Sequence, residues 1–296
     1  MKYLLSVLVF SLLVFFLGAV EASPSFTPLQ SFGISANTGE KPQSKVWTYD
    51  GRWWAVMPNS SGTKLWRLDG TTWTNVLSLS TSTSTFSDTK VAGNVTHILL
   101  YKGTTSELVS VEYVPSTHTY QLWTVRQTTV NMTLEAGAET ATIDIDSYGR
   151  MWFTSQGTST IYVRWSDSPY STWSSSIVIA TGINEDDICV VTALPSGKIG
   201  VLWSDQNTKR FGFKTHTDGA DPNTWSADEV PASQSALDNV GAGMADDHLN
   251  LAVASDGTLY AAVKTSYDVS PNPKMALLVR RPSGSWDNLY PVDVTG

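Results

Sequence analysis

The feature that most constrains the fold of this chain is an internal repeat that runs through most of its 296 residues. Five segments share one order: a β-rich run, a turn with glycine, two further runs separated by a loop, a polar turn and a tryptophan. The turn glycines are Gly51, Gly93, Gly149, Gly197 and Gly257, and the tryptophans are Trp73, Trp123, Trp173, Trp225 and Trp286. Successive glycines are 42 to 60 residues apart, so the units share a plan and differ in loop length.

The turns that contain these glycines favour β-hairpins. Four of them are Tyr49–Arg52, Ser147–Arg150, Pro195–Lys198 and Ser255–Thr258, each with glycine in third place. Glycine accepts the positive φ that a tight hairpin turn requires. The flanking runs are of β-forming type, and no long stretch keeps a helical period. Repeats of about 40–50 residues with four strands each are typical of propeller blades. We therefore predict an all-β fold, a β-propeller of four-stranded blades of which five are visible.

One position in the repeat predicts packing between blades. An aromatic residue recurs three places after the turn glycine, as Trp54, Trp152 and Tyr260. The second and fourth units depart from this pattern with Thr96 and Gly200. We expect the three aromatic side chains to be buried against the neighbouring blade, because large aromatic surfaces dominate such contacts.

The repeat does not fix the number of blades in the intact ring. Five units are visible, and the fourth strand of the fifth unit falls at residues 292–296. Residues 23–43 would suit a single closing strand but not a sixth unit. A complete five-bladed ring and a fragment of a six- or seven-bladed ring both fit. An open ring would expose strand edges, which natural proteins normally avoid.

The N-terminus has the features of a secretory signal peptide. Met1–Lys2 is a short basic start, Leu4–Leu17 is apolar except for two serines, and Val20–Ala22 provides a cleavage site. The apolar run is shorter than the about 20 residues that span a membrane. We predict a signal peptide over residues 1–22 and a propeller domain over 23–296, secreted or extracytoplasmic (periplasm or cell surface) and not inserted in a membrane after cleavage. An uncleaved N-terminal anchor is the alternative.

Charge and cysteine content exclude several classes. A formal net charge of −8 and a pI near 4.9 argue against nucleic acid and anionic membrane surfaces as partners. Cys189 is the only cysteine, so no disulfide forms within the chain. A chain of this length can bury a sufficient hydrophobic core without a disulfide. We expect the protein to be a monomer. The sequons at Asn59, Asn94 and Asn131 matter only in a eukaryotic secretory pathway.

The polar turns before the repeat tryptophans resemble the Asp-box of BNR-type, sialidase-like propellers, Ser-x-Asp-x-Gly-x-x-Trp. The four turns are Trp165–Trp173, Thr217–Trp225 and the shorter Arg67–Trp73 and Arg281–Trp286. Their spacing is loose, and the second unit lacks the motif. The resemblance implies a structural role, in which the aspartate bonds the turn backbone and the tryptophan packs between strands. We therefore expect Trp73, Trp173, Trp225 and Trp286 to pack between blades rather than bind sugars.

Propeller geometry separates the loops into two faces. Turns between first and second strands and between third and fourth strands lie on the turn face. The second-to-third loops and the blade-to-blade links lie on the link face, around the mouth of the central channel, where ligand sites are expected. The predicted ligand-binding residues on this face are Asp88, Glu139, Asp186, Asp187, Trp203, Asp205, Asp246 and Asp268. This acidic rim would suit a divalent cation such as calcium, acid–base chemistry or the polar groups of a sugar. A solvated rim that keeps the protein soluble is the simpler alternative.

His248 is the best single catalytic candidate among the four histidines. It lies in the run Asp246–Asn250, which resembles an Asp-His-Asn stretch of BNR-type propellers that include polysaccharide lyases. The resemblance implies proton exchange between the histidine and a tyrosine while a cation neutralises a uronate. The implied catalytic set is His248, Tyr267 and Asp247, with Lys264 or Arg126 as the cation. A structural histidine is the alternative.

Two function classes remain after sialidase chemistry is set aside. That chemistry needs a cluster of three arginines. Of the eight arginines here, two fall in turn-face turns (Arg52 and Arg150) and three on third strands (Arg67, Arg164 and Arg280), away from the axis. The main hypothesis is an exported, non-enzymatic propeller that binds a glycan or an extracellular protein at the link face. The alternative is a carbohydrate-active enzyme, either a polysaccharide lyase or a glycosidase.

Overall fold

The computed structural model describes residues 27–37 and 41–294, so the predicted signal peptide lies outside the described residues. The described residues form twenty β-strands in five antiparallel sheets. The first sheet contains β1 (Val46–Tyr49), β2 (Arg52–Asn59), β3 (Gly62–Asp69) and β4 (Thr72–Ser80). The second contains β5 (Phe86–Ala92), β6 (Val95–Tyr101), β7 (Thr105–Val114), β8 (Thr119–Leu122) and β9 (Val130–Thr133).

The remaining three sheets follow in chain order. The third contains β10 (Ala141–Ile145), β11 (Met151–Gln156), β12 (Thr160–Ser166) and β13 (Ile177–Thr181). The fourth contains β14 (Cys189–Leu194), β15 (Lys198–Asp205) and β16 (Arg210–Thr217). The fifth contains β17 (Leu249–Val253), β18 (Leu259–Lys264), β19 (Pro273–Arg280) and β20 (Tyr290–Val294). None of the described residues belongs to a helix that could span a membrane.

Each sheet is a blade in which consecutive strands pair with one another. In the second blade β7 pairs along its length with both β8 and β9. The fourth blade has three strands, and only the bridge between Phe213 and Glu229 marks the place of a fourth. The inner strands β5, β10, β14 and β17 together line a central cavity of about 160 Å³. The prediction of an all-β propeller with five visible blades is confirmed.

The repeat glycines occupy the predicted hairpin turns. All five have positive φ, between 62° and 88°. A side chain at these positions would be strained, because L-residues rarely adopt this part of φ/ψ space. The glycine pattern in the sequence therefore reports the turn between the first and second strand of every blade.

Hydrophobic cores lie in the seams between neighbouring blades. Four clusters fill the four seams from the first blade to the fifth, and each draws residues from both sheets that it joins. Trp54 belongs to the cluster between the first and second blades, and Trp152 to that between the third and fourth. Both indoles are fully buried, as predicted from their repeat position.

The repeat tryptophans add packing across these seams. The Trp225 ring meets Trp152 of the preceding blade edge-on, with ring centroids 5.6 Å apart. Trp286 makes the same kind of contact with Phe213 of the fourth blade, at 5.5 Å. Trp173 packs on its own sheet, 5.9 Å from the Phe153 ring. Packing between blades thus accounts for Trp225 and Trp286, as expected, whereas the ring contact of Trp173 lies within its own blade, at the edge of the seam with the second blade.

The Asp-box-like turns bond in two ways. Asp221 accepts a hydrogen bond from the backbone N–H of Asn223 (2.9 Å), which is the role that the resemblance implies. Asp167 instead pairs with Arg150, whose Nε and Nη2 donate to its two oxygens at 2.8 and 3.1 Å. The Arg150 guanidinium also lies over the Trp165 ring, 3.9 Å from its centroid. The spacing of the motif varies from turn to turn, and the aspartates of these two turns accordingly bond to different partners.

The seam between the fifth and first blades is open. In the part of the chain that the structure describes, no hydrophobic cluster includes residues of both blades. Large side chains on the two facing surfaces are solvent-exposed: Tyr260 by 37% and Met275 by 40% on the fifth sheet, and Trp53 by 53% on the first. The prediction that Tyr260 is buried against a neighbouring blade is therefore wrong, because its side chain is 37% exposed and belongs to no hydrophobic cluster of the described residues.

The leading segment (residues 41–45) and residues 27–37 provide no closing strand for the fifth blade. Phe32 packs on Trp66 of the first blade, with ring centroids 4.7 Å apart. The Ser44 carbonyl accepts a hydrogen bond from the Thr89 N–H (2.7 Å), so the leading segment lies beside β5 in the second blade. The suggestion that residues 23–43 close the ring as a strand is thus not realised by their described part.

Candidate functional site

Asp88 and Asp144 lie on inner strands and connect neighbouring blades. Asp88 accepts hydrogen bonds from the backbone N–H groups of Ser44 (2.7 Å) and Ile143 (2.8 Å). Asp144 accepts one from Ala193 N–H (2.7 Å) on β14. Burial raises the pKa of Asp88 to about 7, although these N–H groups oppose the shift. Asp88 was predicted to bind a ligand, but both of its oxygens bond to backbone inside the ring.

Two other acidic residues of the link face stabilise loops. Asp187 is fully buried and accepts hydrogen bonds from the N–H groups of Asn184 (2.7 Å) and Gln206 (3.1 Å). It ties the link before β14 to the β15–β16 loop, and burial raises its pKa. Asp205 accepts a hydrogen bond from Thr208 N–H (2.9 Å) within that loop. These contacts give both carboxylates a structural role in place of the predicted ligand contact.

Trp203 belongs to the core rather than to the link-face surface. Its side chain is 3% exposed and is part of the cluster between the third and fourth blades. The indole lies over Gly212 on the neighbouring strand β16, at a place where a Cβ would overlap the ring. The prediction of Trp203 as a ligand-binding residue is therefore corrected, because its faces are covered by protein.

The structure does not assemble the predicted lyase set. Tyr267 is 1% exposed, and its hydroxyl accepts a hydrogen bond from Leu237 N–H (2.9 Å) in the core between the fourth and fifth blades. Burial raises the pKa of Tyr267. The neighbouring Asp268 is exposed. Arg126 is buried, and its Nε donates to the Pro169 carbonyl (2.9 Å). Neither the tyrosine nor this arginine is presented to solvent at the link face.

Three carboxylates from three different links do meet at the link face. Glu139 precedes β10, Asp186 precedes β14 and Asp247 precedes β17, and one oxygen of each lies within 4.8 Å of the others. We call this group the mouth cluster. Asp186 is exposed and Glu139 and Asp247 are partly buried, so the cluster faces solvent. The prediction that links converge on a common acidic rim holds for these three residues.

A lysine of the leading segment enters the mouth cluster. Lys41 Nζ lies 2.9 Å from Glu139 Oε2 and 3.1 Å from Asp247 Oδ2. The lysine side chain is only 15% exposed. These two ion pairs join the leading segment to the third and fifth blades at once. Calcium prefers the same carboxylate oxygens, so the predicted divalent cation would compete with the Lys41 ammonium for them.

Lys41 and Asp247 stabilise each other's charged forms. Burial pushes the pKa of Asp247 upwards, but hydrogen bonds with Asp246 and Lys41 and the nearby positive charges outweigh it, so the pKa lies below its usual value. Burial likewise opposes the charge on Lys41, yet its bonds to Glu139 and Asp247 raise its pKa. Asp247 is thus an anion at neutral pH.

His248 extends the mouth cluster on the side of the fifth blade. Its Nδ1 lies 2.6 Å from Asp247 Oδ1 and 3.0 Å from Asp246 Oδ1. Asp246 Oδ2 also pairs with Lys264 Nζ and accepts a hydrogen bond from the Ser266 hydroxyl, both at 3.1 Å. The histidine side chain is 40% exposed. The structure therefore brings Asp246, Asp247, His248 and Lys264 together without Tyr267, and the catalytic roles of His248 and Asp247 stay a prediction.

The larger cavity of the channel lies at its opposite end. A cavity of about 640 Å³ opens towards the turn face and is bordered by Asp144, Asp146 and Lys90. Lys90 and Asp144 form an ion pair with each other. Asp146 accepts hydrogen bonds from the N–H groups of Tyr148 and Arg150, both at 2.9 Å. The polar groups at this end are thus engaged within the protein, unlike Asp186 at the link face.

Lys41 and Gln43 are the site residues that the sequence pattern missed. Both precede the first strand, outside the repeat on which the prediction was built. The Gln43 amide donates to the Thr140 hydroxyl, one residue after Glu139. An isolated lysine and glutamine carry no motif, and the one available signal was their place directly before the first inner strand.

Comparisons with known proteins bear on the fold. No protein-family model matches the chain, and no curated protein sequence matches it. Among solved structures, a protein from Lactobacillus plantarum superposes with a TM-score of 0.53 at 14% identity, over 84% of this chain and 71% of that one. The two chains share a fold. The Asp-box assignment finds no further support in these comparisons and stays a prediction.

Two further solved structures carry the names of an arabinanase and a xylosidase. The α-L-arabinanase of Penicillium chrysogenum, solved with arabinobiose, has a TM-score of 0.49 at 12% identity, over 93% of this chain and 88% of that one. The xylan β-1,4-xylosidase of Bacillus halodurans C-125 has a TM-score of 0.47 at 10% identity, over 88% of this chain and 56% of that one. This chain thus spans about half the length of the xylosidase.

Proposed function

We propose that this chain is a carbohydrate-active enzyme of the glycoside hydrolase class, with its site at the mouth cluster. The observation that carries the proposal is the convergence of Glu139, Asp186 and Asp247 from three separate links. Paired carboxylates are the catalytic unit of glycoside hydrolysis, in which one donates a proton and the other acts as base or nucleophile. Substrate and activity are thus inferred from this chain's own side chains.

The contacts of the three carboxylates suggest different roles. Asp247 has a lowered pKa and remains ionised, so we assign it the role of base or nucleophile. Asp186 is exposed and, among the described residues, forms no ion pair, so its carboxyl is free to contact a substrate and we assign it as the second catalytic carboxyl. Glu139 holds Lys41 together with Asp247 and would position the leading segment.

Glycosidase chemistry fits the site better than lyase chemistry. A lyase needs a second proton-transfer group beside His248, and Tyr267 is buried with its hydroxyl bonded to Leu237 N–H. The uronate-neutralising candidate Lys264 is already paired with Asp246. The link face therefore presents the carboxylates that a glycosidase needs, but it does not present the tyrosine that the lyase mechanism needs.

Lys41 favours a second candidate function, non-catalytic binding of a glycan. Its ammonium pairs with two of the three carboxylates and would reduce their availability for proton transfer. This candidate keeps the same link-face site and the same class of ligand. We place it second, because the Asp186 carboxyl is exposed and Asp247 remains ionised beside it.

Hydrolysis assays on a panel of plant and bacterial polysaccharides would test the proposal. We expect release of reducing ends by the wild type and a loss of at least about 100-fold in Asp247→Asn, since a positioned acid or base contributes about 10²–10⁴-fold. The matched control is Asp228→Asn, an exposed carboxylate that pairs with Lys214 on the fourth blade. No hydrolysis by the wild type, with glycan binding retained, would favour the binding function instead.

A further inference from the structure

The fourth blade carries only part of an outer fourth strand. Alternate residues of an antiparallel strand direct both their N–H and C=O groups to the same side. On β16, Phe213 uses its outward groups to exchange two hydrogen bonds with Glu229, at 2.8 and 2.9 Å. The outward carbonyl of Thr215 accepts one from Ser226 N–H (2.8 Å). Residues 226–229 therefore cover this half of the outer edge.

Pro231 ends this pairing. In the register of the bridge between Phe213 and Glu229, Pro231 is the residue opposite Phe211. Proline has no backbone N–H to donate to a neighbouring strand, so it is rarely found in a paired position. Residues 231–235 form turns instead of a strand. The outer edge of β16 is therefore left without a strand partner at Phe211.

The outward peptide groups of Phe211 have no partner. By the same alternation, the N–H and C=O of Phe211 face the side to which those of Phe213 point. Neither group forms a hydrogen bond with any residue that the structure describes. Phe211 is 1% exposed, and buried backbone groups are nearly always hydrogen-bonded in folded proteins. A bound molecule is therefore needed to complete these two hydrogen bonds.

A cavity of about 230 Å³, which we call the edge cavity, lies at this gap. Phe211 borders it, and Trp203 and Val230 make much of its wall apolar. Val230 is 43% exposed, so the edge cavity reaches the surface of the protein. Thr208 of the β15–β16 loop is also on the wall, which places the cavity towards the link face. Apolar walls with a few polar groups are typical of small-ligand sites.

The two free groups of Phe211 define the chemistry of the ligand. The ligand must present one acceptor for the N–H and, beside it, one donor for the C=O. A single amide group does not, because its own N–H and C=O point in opposite directions. Two adjacent hydroxyl groups on a sugar ring do, since a hydroxyl is both donor and acceptor.

An extended peptide does not fit this gap, although one residue of a strand would offer the same pair of groups. A strand continues past its paired residue in both directions. Along the edge of β16, one direction is occupied by Glu229. The other is occupied by Met244, whose N–H donates to the Lys209 carbonyl (3.1 Å). The space between them suits a compact ring rather than a chain.

We propose that the edge cavity binds one ring of a neutral glycan through two adjacent hydroxyl groups. One hydroxyl oxygen accepts a hydrogen bond from the Phe211 N–H, and the other hydroxyl donates to the Phe211 carbonyl. A neutral ring is favoured over an acidic one, because Arg210 on the wall is already paired with Asp238. The choice of a sugar over another diol rests on the proposed glycan-active function. The edge cavity is a second site, separate from the mouth cluster, and takes no part in bond cleavage.

An NMR titration of the whole protein, labelled with nitrogen-15 on its nine phenylalanines, would test the backbone contacts. The probes are cellotriose and xylotriose, whose rings keep two adjacent hydroxyl groups. We expect saturating sugar to shift the Phe211 amide signal and to slow its exchange with solvent at least about tenfold. The Phe213 amide is the internal control, because it already donates to Glu229, and its exchange should change by less than about twofold.

Filling the edge cavity should prevent binding. Val230→Trp adds a large side chain to the wall at an exposed position, so we expect cellotriose affinity to fall at least about tenfold. Val178→Trp is the matched control, since Val178 is a 55% exposed valine on the outer strand β13 of the third blade. Melting curves show whether both variants are folded.

Methylation of the sugar tests the hydrogen bonds on the unaltered protein. Per-O-methylated cellotriose keeps its oxygen acceptors but has no hydroxyl to donate to the Phe211 carbonyl. We expect it to bind at least about tenfold more weakly, because a buried acceptor would stay unpaired. This measurement does not depend on the folding of any variant.

Four results would overturn the proposal. A Phe211 amide that neither sugar changes would mean that the edge cavity holds water only. Unchanged affinity in a folded Val230→Trp would place the sugar elsewhere, and equal binding of methylated cellotriose would mean that the hydroxyl donors are not used. N-acetylalanine methylamide presents the N–H and C=O of one amino-acid residue, so its binding as tightly as cellotriose would identify a peptide ligand instead.

Binding and hydrolysis are measured separately, so the inference and the proposed function can fail separately. Binding at Phe211 by a protein that hydrolyses no polysaccharide supports the inference and contradicts the enzyme. Hydrolysis with an unchanged Phe211 amide supports the enzyme and contradicts the inference.

Discussion

Buried polar side chains hold the inner strands of this propeller in register. Asp88 accepts hydrogen bonds from backbone N–H groups of the leading segment and of β10, and Asp144 accepts one from β14. The Thr142 hydroxyl repeats the arrangement by accepting from Val191 N–H (3.0 Å). Inner strands of neighbouring blades do not pair as one sheet, so side chains supply the hydrogen bonds that their backbones need.

His97 is a second buried polar residue, and it makes stability depend on pH. It lies on β6, is 2% exposed, and its Nδ1 contacts the Ser110 hydroxyl at 2.8 Å. Burial, together with the Arg126 charge, lowers the pKa of His97 from 6.5 to about 3. The folded protein thus holds this ring neutral over a range in which the unfolded chain protonates it.

We expect the free energy of unfolding to fall as pH decreases from about 6.5 towards about 3, by at most about 1.4 kcal/mol per pH unit from His97. The sign follows because the unfolded chain binds the extra proton. Denaturant titrations at several pH values would measure this slope. In His97→Gln the slope should be shallower by that amount, with His118, His216 and His248 unchanged in both proteins. Parallel profiles would contradict the assignment.

At the scale of the strand, close packing in the fourth blade depends on two glycines. Gly200 occupies the repeat position at which Trp54 and Trp152 are found, and the Phe213 ring takes the space of the missing side chain. The Trp203 ring lies in the same way over Gly212. The aromatic group at these seams thus comes from the adjacent strand, which explains why the fourth unit departs from the repeat.

Gly212→Ala is therefore expected to destabilise the protein by about 1–3 kcal/mol, because overpacking displaces a large ring. A Cβ at this position overlaps the indole of Trp203, which is itself fixed in the core. Gly33→Ala is the matched control, since a Cβ there has no neighbour within 4 Å. Thermal unfolding of the two variants would compare them, and equal melting temperatures would refute the packing argument.

At the scale of the whole molecule, the five blades share four hydrophobic seams among the residues that the structure describes. The fifth and first blades present exposed apolar side chains to the open seam. The Lys41–Asp247 ion pair connects the leading segment of the first blade to the fifth. Such partly exposed pairs contribute less than a hydrophobic core, so we infer that the ends of the ring are held mainly at the link face.

Because one seam is open, we expect removal of the repeat aromatic to lower the free energy of unfolding by different amounts in different blades. Trp152→Ala should destabilise the protein by about 3–5 kcal/mol, since it empties a filled seam. Tyr260→Ala should cost less than about 1 kcal/mol, because its side chain faces the open seam. Denaturant unfolding of both variants measures the difference. A large cost at Tyr260 would mean that the seam closes in solution.

The repeat in the sequence was sufficient to predict five blades, their turn glycines and the seam tryptophans, because these depend on local backbone geometry and on a periodic pattern of large side chains. Convergence of the link residues was predictable for the same reason, since topology alone places them at one end of the channel. Which carboxylates reach solvent was not predictable from spacing. Asp88 and Asp187 became buried acceptors, whereas Asp186 remained exposed.

Only the tertiary structure decided the contacts between residues far apart in the chain. Lys41 and Asp247 form an ion pair although they are 206 residues apart. The Tyr267 hydroxyl accepts its hydrogen bond inside a hydrophobic core. Tyr260 is exposed at the open seam, whereas Trp54 and Trp152 at the same repeat position are buried. A repeat pattern specifies what each blade is made of, since turns and strands form from neighbouring residues. It does not specify how the first and last blades meet, because that depends on the accumulated packing of every seam between them.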